Sequence, residues 1–130
     1  MISRGVDALC AEAESLVETW TVEEARTCLG DKGVVFVDLR DIRELWRDGM
    51  IPGAVHAPRG MLEFWVDPDS PYYREVFGSS KKFVFFCAGG LRSALATAQL
   101  QRMGLEPVAH IEGGFGAWRD AGGPVEKYGG

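Results

Sequence analysis

The sequence contains little cysteine: Cys10, Cys28 and Cys87 are odd in number and lie far apart in a chain of 130 residues. This usage argues against a framework of disulfides and favours a reducing, cytoplasmic setting. The chain also lacks an apolar run of ~20 residues, the length needed to cross a membrane. Its first residues do not follow the basic-then-apolar order of a signal peptide. We therefore expect neither a membrane span nor a leader segment.

Positive charge is not in excess, because 14 lysines and arginines stand against 19 aspartates and glutamates, for a formal net charge of −5. Nonspecific binding to nucleic acid or to an anionic membrane depends on clustered positive charge, so neither partner is expected. The three cysteines and two histidines also lack the spacing of a zinc site, and no metal is predicted.

Helical and strand patterns alternate along the chain, which is about one domain long and 46% hydrophobic. Two almost unbroken apolar runs, VVFVDL from Val34 and KKFVFFC from Lys81, are typical of parallel strands buried on both faces. Shorter strands are expected at Trp20, at residues 55–57 and in PVAHI from Pro107. We predict an α/β fold with a central, mostly parallel five-stranded sheet flanked by helices.

Helices are predicted between these strands. Thr21 and Glu24 form a capping-box pattern in TVEEA, which starts one of them. Others are predicted in IRELWR, over residues 92–103 and in GGFGAWRDAGG. Near the N-terminus, apolar residues recur at helical spacing: Val6, Leu9, Cys10, Ala13, Leu16 and Val17. We expect residues 1–130 to form a single domain with an N-terminal helical extension at about residues 1–18.

The connection from Pro58 to Ser80 is long and rich in aromatic residues. Its segment GMLEFW predicts a short helix, which is followed by a Pro-Asp-Pro loop. Long connections are often functional, so a pocket wall or a partner-binding surface is one interpretation of this segment. Packing of its aromatic residues on the core is the simpler one: Phe64, Trp65, Tyr72 and Tyr73.

Cys87 ends the second buried strand and is followed by two glycines and a helix. Ligands of open parallel sheets bind beyond the carboxyl ends of the strands, where Cys87 lies. The first N–H groups of the helix carry partial positive charge, and Gly89 and Gly90 allow several of them to turn toward one point. A thiolate there would be stabilised, with Arg92 adding charge. The alternative is a buried structural cysteine before an ordinary glycine turn.

Several segments, in their order along the chain, resemble the single-domain rhodaneses, a family of sulfurtransferases. They are TVEEA, VDLR, IPGAVHAP, CAGGLRS and EGGFGAW, and the resemblance extends from about Trp20 to Val125. CAGGLRS fits the family's cysteine loop, Cys-x-x-Gly-x-Arg-Ser. Two features depart from the family: Met50 stands where it more often has His, and the connection after Pro58 is long.

The resemblance implies that Cys87 is the nucleophile. It would take a sulfane sulfur from a donor such as thiosulfate as a persulfide and pass it to cyanide or a thiol, with a sulfur-accepting protein as a further candidate acceptor. No metal or organic cofactor is implied. The loop around the sulfur would be formed by Ala88, Gly89, Gly90, Leu91, Arg92 and Ser93. Arg92 would either orient an anionic donor or brace the loop, and Ser93 suits a capping role.

Three residues outside the loop are candidates for the pocket. Asp38 and Arg40 end a strand at the same sheet edge as Cys87, and Arg59 follows the middle strand. An ion pair between Arg40 and Glu44 is an equally good interpretation of Arg40, and a solvated charge is the default for Arg59. A cysteine hydrolase needs a histidine base, for which His56 and His110 are the candidates, but the spacing of neither indicates that it reaches Cys87.

Two other functions remain open. A protein-binding module of the same fold would have incidental activity, although it has no need of Cys87. A small cysteine phosphatase or arsenate reductase would have five residues between cysteine and arginine, whereas here four intervene. The shorter loop suits one terminal sulfur better than a tetrahedral phosphate, so sulfur transfer is the favoured interpretation.

Overall fold

A computed structural model of the chain describes residues 1–129. Its helices are α1 (Val6–Leu16), α2 (Val22–Thr27), α3 (Ile42–Asp48), α4 (Leu62–Val66), α5 (Leu91–Arg102) and α6 (Gly114–Asp120). Its strands are β1 (Glu18–Trp20), β2 (Val34–Asp38), β3 (Val55–His56), β4 (Lys82–Phe86) and β5 (Val108–Ile111). In this part of the chain, no helix has both the length and the apolar character needed to span a membrane.

The five strands form one sheet in the order β1-β5-β4-β2-β3, and every pairing is parallel. This confirms the predicted α/β fold with its five-stranded sheet. Because the strands are parallel, their carboxyl ends meet at one edge, and the loops after β2 and β4 leave the sheet side by side.

Side chains of β4 alternate between two buried cores, as the apolar run predicts. Phe83 and Phe85 belong to the core beneath α4 and α5, together with Cys87 directly after the strand. Val84 and Phe86 belong to the core on the other face, which α2 and α6 cover. A strand buried on both faces has no polar side, and this explains the unbroken run of apolar residues.

The N-terminal pattern forms α1, which packs on α5 through small side chains: Ala13 meets Ala94 and Ala98. The capping box predicted for α2 is present, since the Thr21 hydroxyl accepts the N–H of Glu24 and the Glu24 carboxylate accepts the N–H of Thr21. A second capping box starts α3 at Asp41 and Glu44.

The long connection after β3 contains α4 between two short 3₁₀ helices, Arg59–Met61 and Glu75–Gly78. Its aromatic residues divide into two groups. Trp65 packs against the core, with the guanidinium of Arg74 over its ring. Phe64 and Tyr72 are exposed and meet edge to face.

Candidate active site

Cys87 directly follows β4 at the carboxyl edge of the sheet, and its side chain is 1% exposed. The backbone N–H of Gly90 points back at the Cys87 sulfur, with 3.1 Å from N to Sγ. Gly90 holds the left-handed conformation, φ +102°, and is the N-cap of α5. The helix thus begins at Leu91, one residue earlier than expected, and its N-terminus with its partial positive charge lies at the sulfur.

The start of α6 holds the loop after Cys87 in place through two backbone hydrogen bonds. Phe115 donates its N–H to the carbonyl oxygen of Cys87 (2.7 Å), and Gly116 donates to that of Ala88 (3.0 Å). Gly114 makes this approach possible, because a Cβ there would lie 2.3 Å from the Cys87 oxygen. The Gly-Gly pair at the start of the final helix therefore positions the loop after Cys87 as well as turning the chain.

Ser93 links the thiol to a buried histidine. Its hydroxyl lies 3.7 Å from the Cys87 sulfur, 3.3 Å from the carbonyl oxygen of Gly90 and 3.1 Å from Nδ1 of His110. His110 is fully buried in β5, and this burial lowers the pKa of its imidazole despite the opposing charges of Glu14 and Glu112. The spacing of His110 along the chain does not indicate a link to Cys87, whereas the structure connects the two through the Ser93 hydroxyl.

Arg92 forms a two-pronged ion pair with Glu44 of α3. The distances are 2.9 Å from Nη1 to Oε2 and 3.1 Å from Nη2 to Oε1. The hydrogen bonds and the charge of Glu44 raise the pKa of Arg92. In return, Arg92 lowers the pKa of Glu44. The same carboxylate accepts the N–H of Asp41 at 2.8 Å, so the helix cap holds it in place.

The other three candidate residues lie apart from this arrangement. Asp38 and Arg40 form a buried ion pair, each 1% exposed, with Arg40 Nη2 2.8 Å from Asp38 Oδ2. The Arg40 guanidinium also donates to the carbonyl oxygen of Gly49 and stacks over the ring of Phe115 at 3.9 Å. It is therefore not exposed to a ligand in solution.

The alternative expectation for Arg40, an ion pair with Glu44, is wrong, because Asp38 occupies the guanidinium and Glu44 pairs with Arg92. Spacing of i to i+4 brings side chains together only within a helix, and Arg40 precedes α3. Arg59 pairs with Glu63 at 2.8 Å and lines a cavity of about 220 Å³ between α1 and α5. The residues that line this cavity do not include Cys87 or the loop up to Ser93.

The remaining histidine and thiols have local contacts. His56 Nε2 lies 2.7 Å from the carbonyl oxygen of Arg40. Cys10 is buried on α1, with its sulfur 3.9 Å from the carbonyl oxygen of Leu91. Burial, followed by the charges of Asp7 and Glu14, raises the pKa of the Cys10 thiol, so it is poorly suited to act as a nucleophile.

Comparison with known proteins gives three kinds of match. A family model described as the rhodanese-like domain matches residues 21–121. A solved structure from Rhodopseudomonas palustris CGA009, described as a protein of unknown function and possible tyrosine phosphatase, is 60% identical. The match covers 97% of each chain with a TM-score of 0.95.

Two curated relatives are more distant. YtwF of Bacillus subtilis (strain 168), named as a candidate sulfurtransferase, is 34% identical over 88 residues, which cover 68% of this chain and 76% of YtwF. A tRNA uridine(34) hydroxylase of Cronobacter sakazakii is 28% identical over 115 residues, which cover 88% of this chain. The match spans only 32% of that hydroxylase.

Proposed function

The chain belongs to the rhodanese-like domain family, and we propose that it is a sulfurtransferase that carries sulfane sulfur as a persulfide on Cys87. The observation that carries the proposal is the position of the Cys87 sulfur, 3.1 Å from the Gly90 nitrogen at the N-terminus of α5. This environment stabilises a thiolate and, after reaction, the terminal sulfur of a persulfide.

The first half-reaction is an attack of the Cys87 thiolate on the outer sulfur of thiosulfate. A bond forms between the two sulfurs, the S–S bond of the donor breaks, and its electron pair leaves with sulfite. In the second half-reaction, cyanide or a thiolate attacks the outer sulfur, the bond to Cys87 breaks, and its electron pair regenerates the thiolate. Because the sulfur is held covalently between the two steps, the kinetics are of the ping-pong type.

The chain's own residues have separable parts in this cycle. The Gly90 N–H and the first turn of α5 hold the charge of the thiolate, and Ser93 adds a hydroxyl 3.7 Å from the sulfur. Phe115 and Gly116 fix the loop through its carbonyl groups. Because the loop is fixed, its backbone N–H groups point at the sulfur and need no reorganisation during the reaction.

A phosphatase is the main alternative, because the similar Rhodopseudomonas palustris protein is described as a possible tyrosine phosphatase. Two features favour sulfur over phosphate. Only four residues separate Cys87 from Arg92. In addition, both Nη atoms of Arg92 are hydrogen-bonded to Glu44, so this pair of donors is not free for bidentate binding of a phosphate dianion.

The reaction class is tested by intact mass after incubation with thiosulfate. We expect a gain of one sulfur atom, lost on addition of cyanide, in the wild type and in Cys10→Ser/Cys28→Ser but not in Cys87→Ser. An assay with an aryl phosphate on the same samples tests the alternative. Phosphate release that depends on Cys87, without a sulfur adduct, would replace our proposal with a phosphatase.

A further inference from the structure

His110 is a fully buried polar side chain in a strand that is otherwise apolar. Its neighbours along β5 are Val108, Ala109 and Ile111. Burial of an imidazole costs free energy unless the ring is hydrogen-bonded, and here Nδ1 lies 3.1 Å from the hydroxyl of Ser93. Packing alone would be served better by an apolar side chain at this position. The contact with Ser93 is therefore the feature of His110 that needs an explanation.

The surroundings of His110 determine which ring nitrogen carries the proton. Burial lowers the pKa of the imidazole, against the charges of Glu14 on α1 and Glu112 after β5, so the ring is neutral and holds a single N–H. Nε2 has no hydrogen-bond partner among residues 1–129. A proton on Nε2 would leave a buried N–H without an acceptor, a defect that is rarer in proteins than an unused lone pair. The favoured tautomer therefore carries its proton on Nδ1 and donates it to Ser93.

This tautomer decides where the Ser93 hydroxyl sends its own proton. Ser93 Oγ accepts the N–H of His110, and the hydroxyl proton can then go to either of two acceptors. These are the carbonyl oxygen of Gly90, at 3.3 Å, and the sulfur of Cys87, at 3.7 Å. A thiolate is the stronger acceptor, because hydrogen bonds to charged groups are stronger than those to neutral ones. With the proton on Nε2 instead, the hydroxyl would donate to Nδ1 and could not donate to the sulfur.

We infer that His110 is a positioning residue, whose Nδ1–H orients the Ser93 hydroxyl to donate to the Cys87 sulfur whenever that sulfur is negatively charged. The inference rests on the proposed sulfur transfer and adds a residue to it. The charge is on the sulfur before the donor is attacked, and it returns when the acceptor takes the outer sulfur and the electron pair stays with Cys87. Ser93 and the Gly90 N–H, 3.1 Å from the sulfur, then stabilise this charge together.

Two substitutions of nearly equal size separate orientation from packing. His110→Leu removes the ring and its N–H. His110→Asn has almost the shape of leucine but keeps an amide that can donate to Ser93, at the same bond distance from the backbone as Nδ1. Ser93→Ala removes the hydroxyl itself. Thr97→Val is the matched control, because Thr97 lies one turn after Ser93 on α5 and its hydroxyl is also buried but has no hydrogen-bond partner among residues 1–129.

The measurement is the rate of Cys87 alkylation by iodoacetamide as a function of pH. All variants are made in a Cys10→Ser/Cys28→Ser background, which leaves Cys87 as the only thiol. The thiolate is the form that reacts, so the pH of half-maximal rate reports how well the thiolate is stabilised. This readout does not depend on whether the protein transfers sulfur, and a merely structural role of His110 would not move it.

We expect the pH of half-maximal alkylation to rise by about one unit in His110→Leu. This is a tenfold change in the ratio of thiolate to thiol, the size expected for the loss of one hydrogen bond to a charged group. His110→Asn and Thr97→Val should leave that pH unchanged. Ser93→Ala should raise it as His110→Leu does, and the double variant should show no further rise, because both substitutions remove the same hydrogen bond.

A rise in His110→Asn as large as in His110→Leu would assign the effect to packing and overturn the inference, as would unchanged alkylation in His110→Leu. The tautomer is measured without any change at His110, by nitrogen NMR of isotope-labelled histidine, with His56→Gln used for assignment. We expect the proton on Nδ1, and a proton on Nε2 would also overturn the inference. If Cys87 takes up no sulfur from thiosulfate while the alkylation pattern holds, the proposed sulfur transfer fails and the orientation of the Ser93 hydroxyl stands.

Discussion

Phe115 donates its backbone N–H to the carbonyl oxygen of Cys87 over 2.7 Å, so the last helix of the fold holds the backbone of Cys87 in place. The contact depends on Gly114, whose φ is +60° and whose Cα faces the same carbonyl oxygen. The sequence pattern at Gly113 and Gly114 predicts only a turn before a helix. In the structure, this turn also brings the backbone of α6 against the loop after Cys87.

Gly114→Ala should damage both stability and sulfur transfer. The new Cβ would lie 2.3 Å from the Cys87 oxygen and would also require a strained backbone, at a combined cost of roughly 2–5 kcal/mol in the free energy of unfolding. Gly122→Ala is the control, because Gly122 has φ +80° but a Cβ there would have nothing within 4 Å. Chemical denaturation and Cys87 loading are the measurements. Equal losses in the two variants would show that strain alone, and not the contact with the loop, is responsible.

Cys87→Ser should abolish sulfur transfer and leave the free energy of unfolding within about 1 kcal/mol of the wild type, since a hydroxyl replaces a thiol of similar size. Cys10→Ser and Cys28→Ser should retain transfer. The assay measures thiocyanate formed from thiosulfate and cyanide. Transfer by Cys87→Ser at a rate near that of the wild type would be incompatible with the assignment of the nucleophile.

Much of the fold follows from patterns that burial imposes. A strand covered on both faces must be apolar throughout, and this is why VVFVDL and KKFVFFC predicted β2 and β4. The glycine loop and the strand end likewise placed Cys87 at the carboxyl edge of the sheet. The start of α5 differed by one residue because Gly90, in the left-handed conformation, serves as the N-cap.

The partners of the charged residues could not be predicted in the same way. Arg92 and Glu44 are separated by 48 residues and lie on different helices, so no local spacing links them. Ser93 and His110 meet because α5 packs on β5, and this again is a property of the tertiary arrangement. Local patterns therefore predicted the position of Cys87 and its loop, whereas the ion pairs and hydrogen bonds around the loop required the structure.

Arg92→Ala should lower kcat/KM for thiosulfate, because it removes the positive charge of the loop and leaves the Glu44 carboxylate without its partner. Adding Glu44→Gln to this variant should recover part of the lost kcat/KM for thiosulfate by removing that charge. Steady-state kinetics with thiosulfate in the wild type, the two single variants and the double variant measure the coupling between the two residues. Strict additivity of the two substitutions would exclude a functional role for the ion pair.

Asp38→Asn should lower the free energy of unfolding by about 3–5 kcal/mol, the cost of breaking a buried ion pair and leaving its partner charged. The reason is that Arg40 is 1% exposed and has Asp38 as its counter-ion. Asp120→Asn is the control, since the pair of Arg119 and Asp120 is exposed and should contribute about 0–1 kcal/mol. Urea denaturation at neutral pH compares the two variants. A loss at Asp38 no larger than that at Asp120 would be inconsistent with a buried, obligatory pair.

His110 should make the protein less stable as the pH falls through the range below about 6.5, the usual pKa of histidine. Burial lowers the pKa of His110 in the folded state, so the unfolded chain binds a proton that the folded chain does not. The stabilisation from the neutral imidazole is complete above the unfolded pKa and is lost as the pH falls toward the folded one. Carboxylates whose pKa is lowered, such as Glu44, lose their contribution only at lower pH, below about 4.5.

Urea denaturation between pH 7 and pH 5 should therefore show a steeper decline for the wild type than for His110→Asn, which keeps a polar group beside Ser93 without a titrating ring. Parallel curves for the two proteins over that range would contradict the lowered pKa.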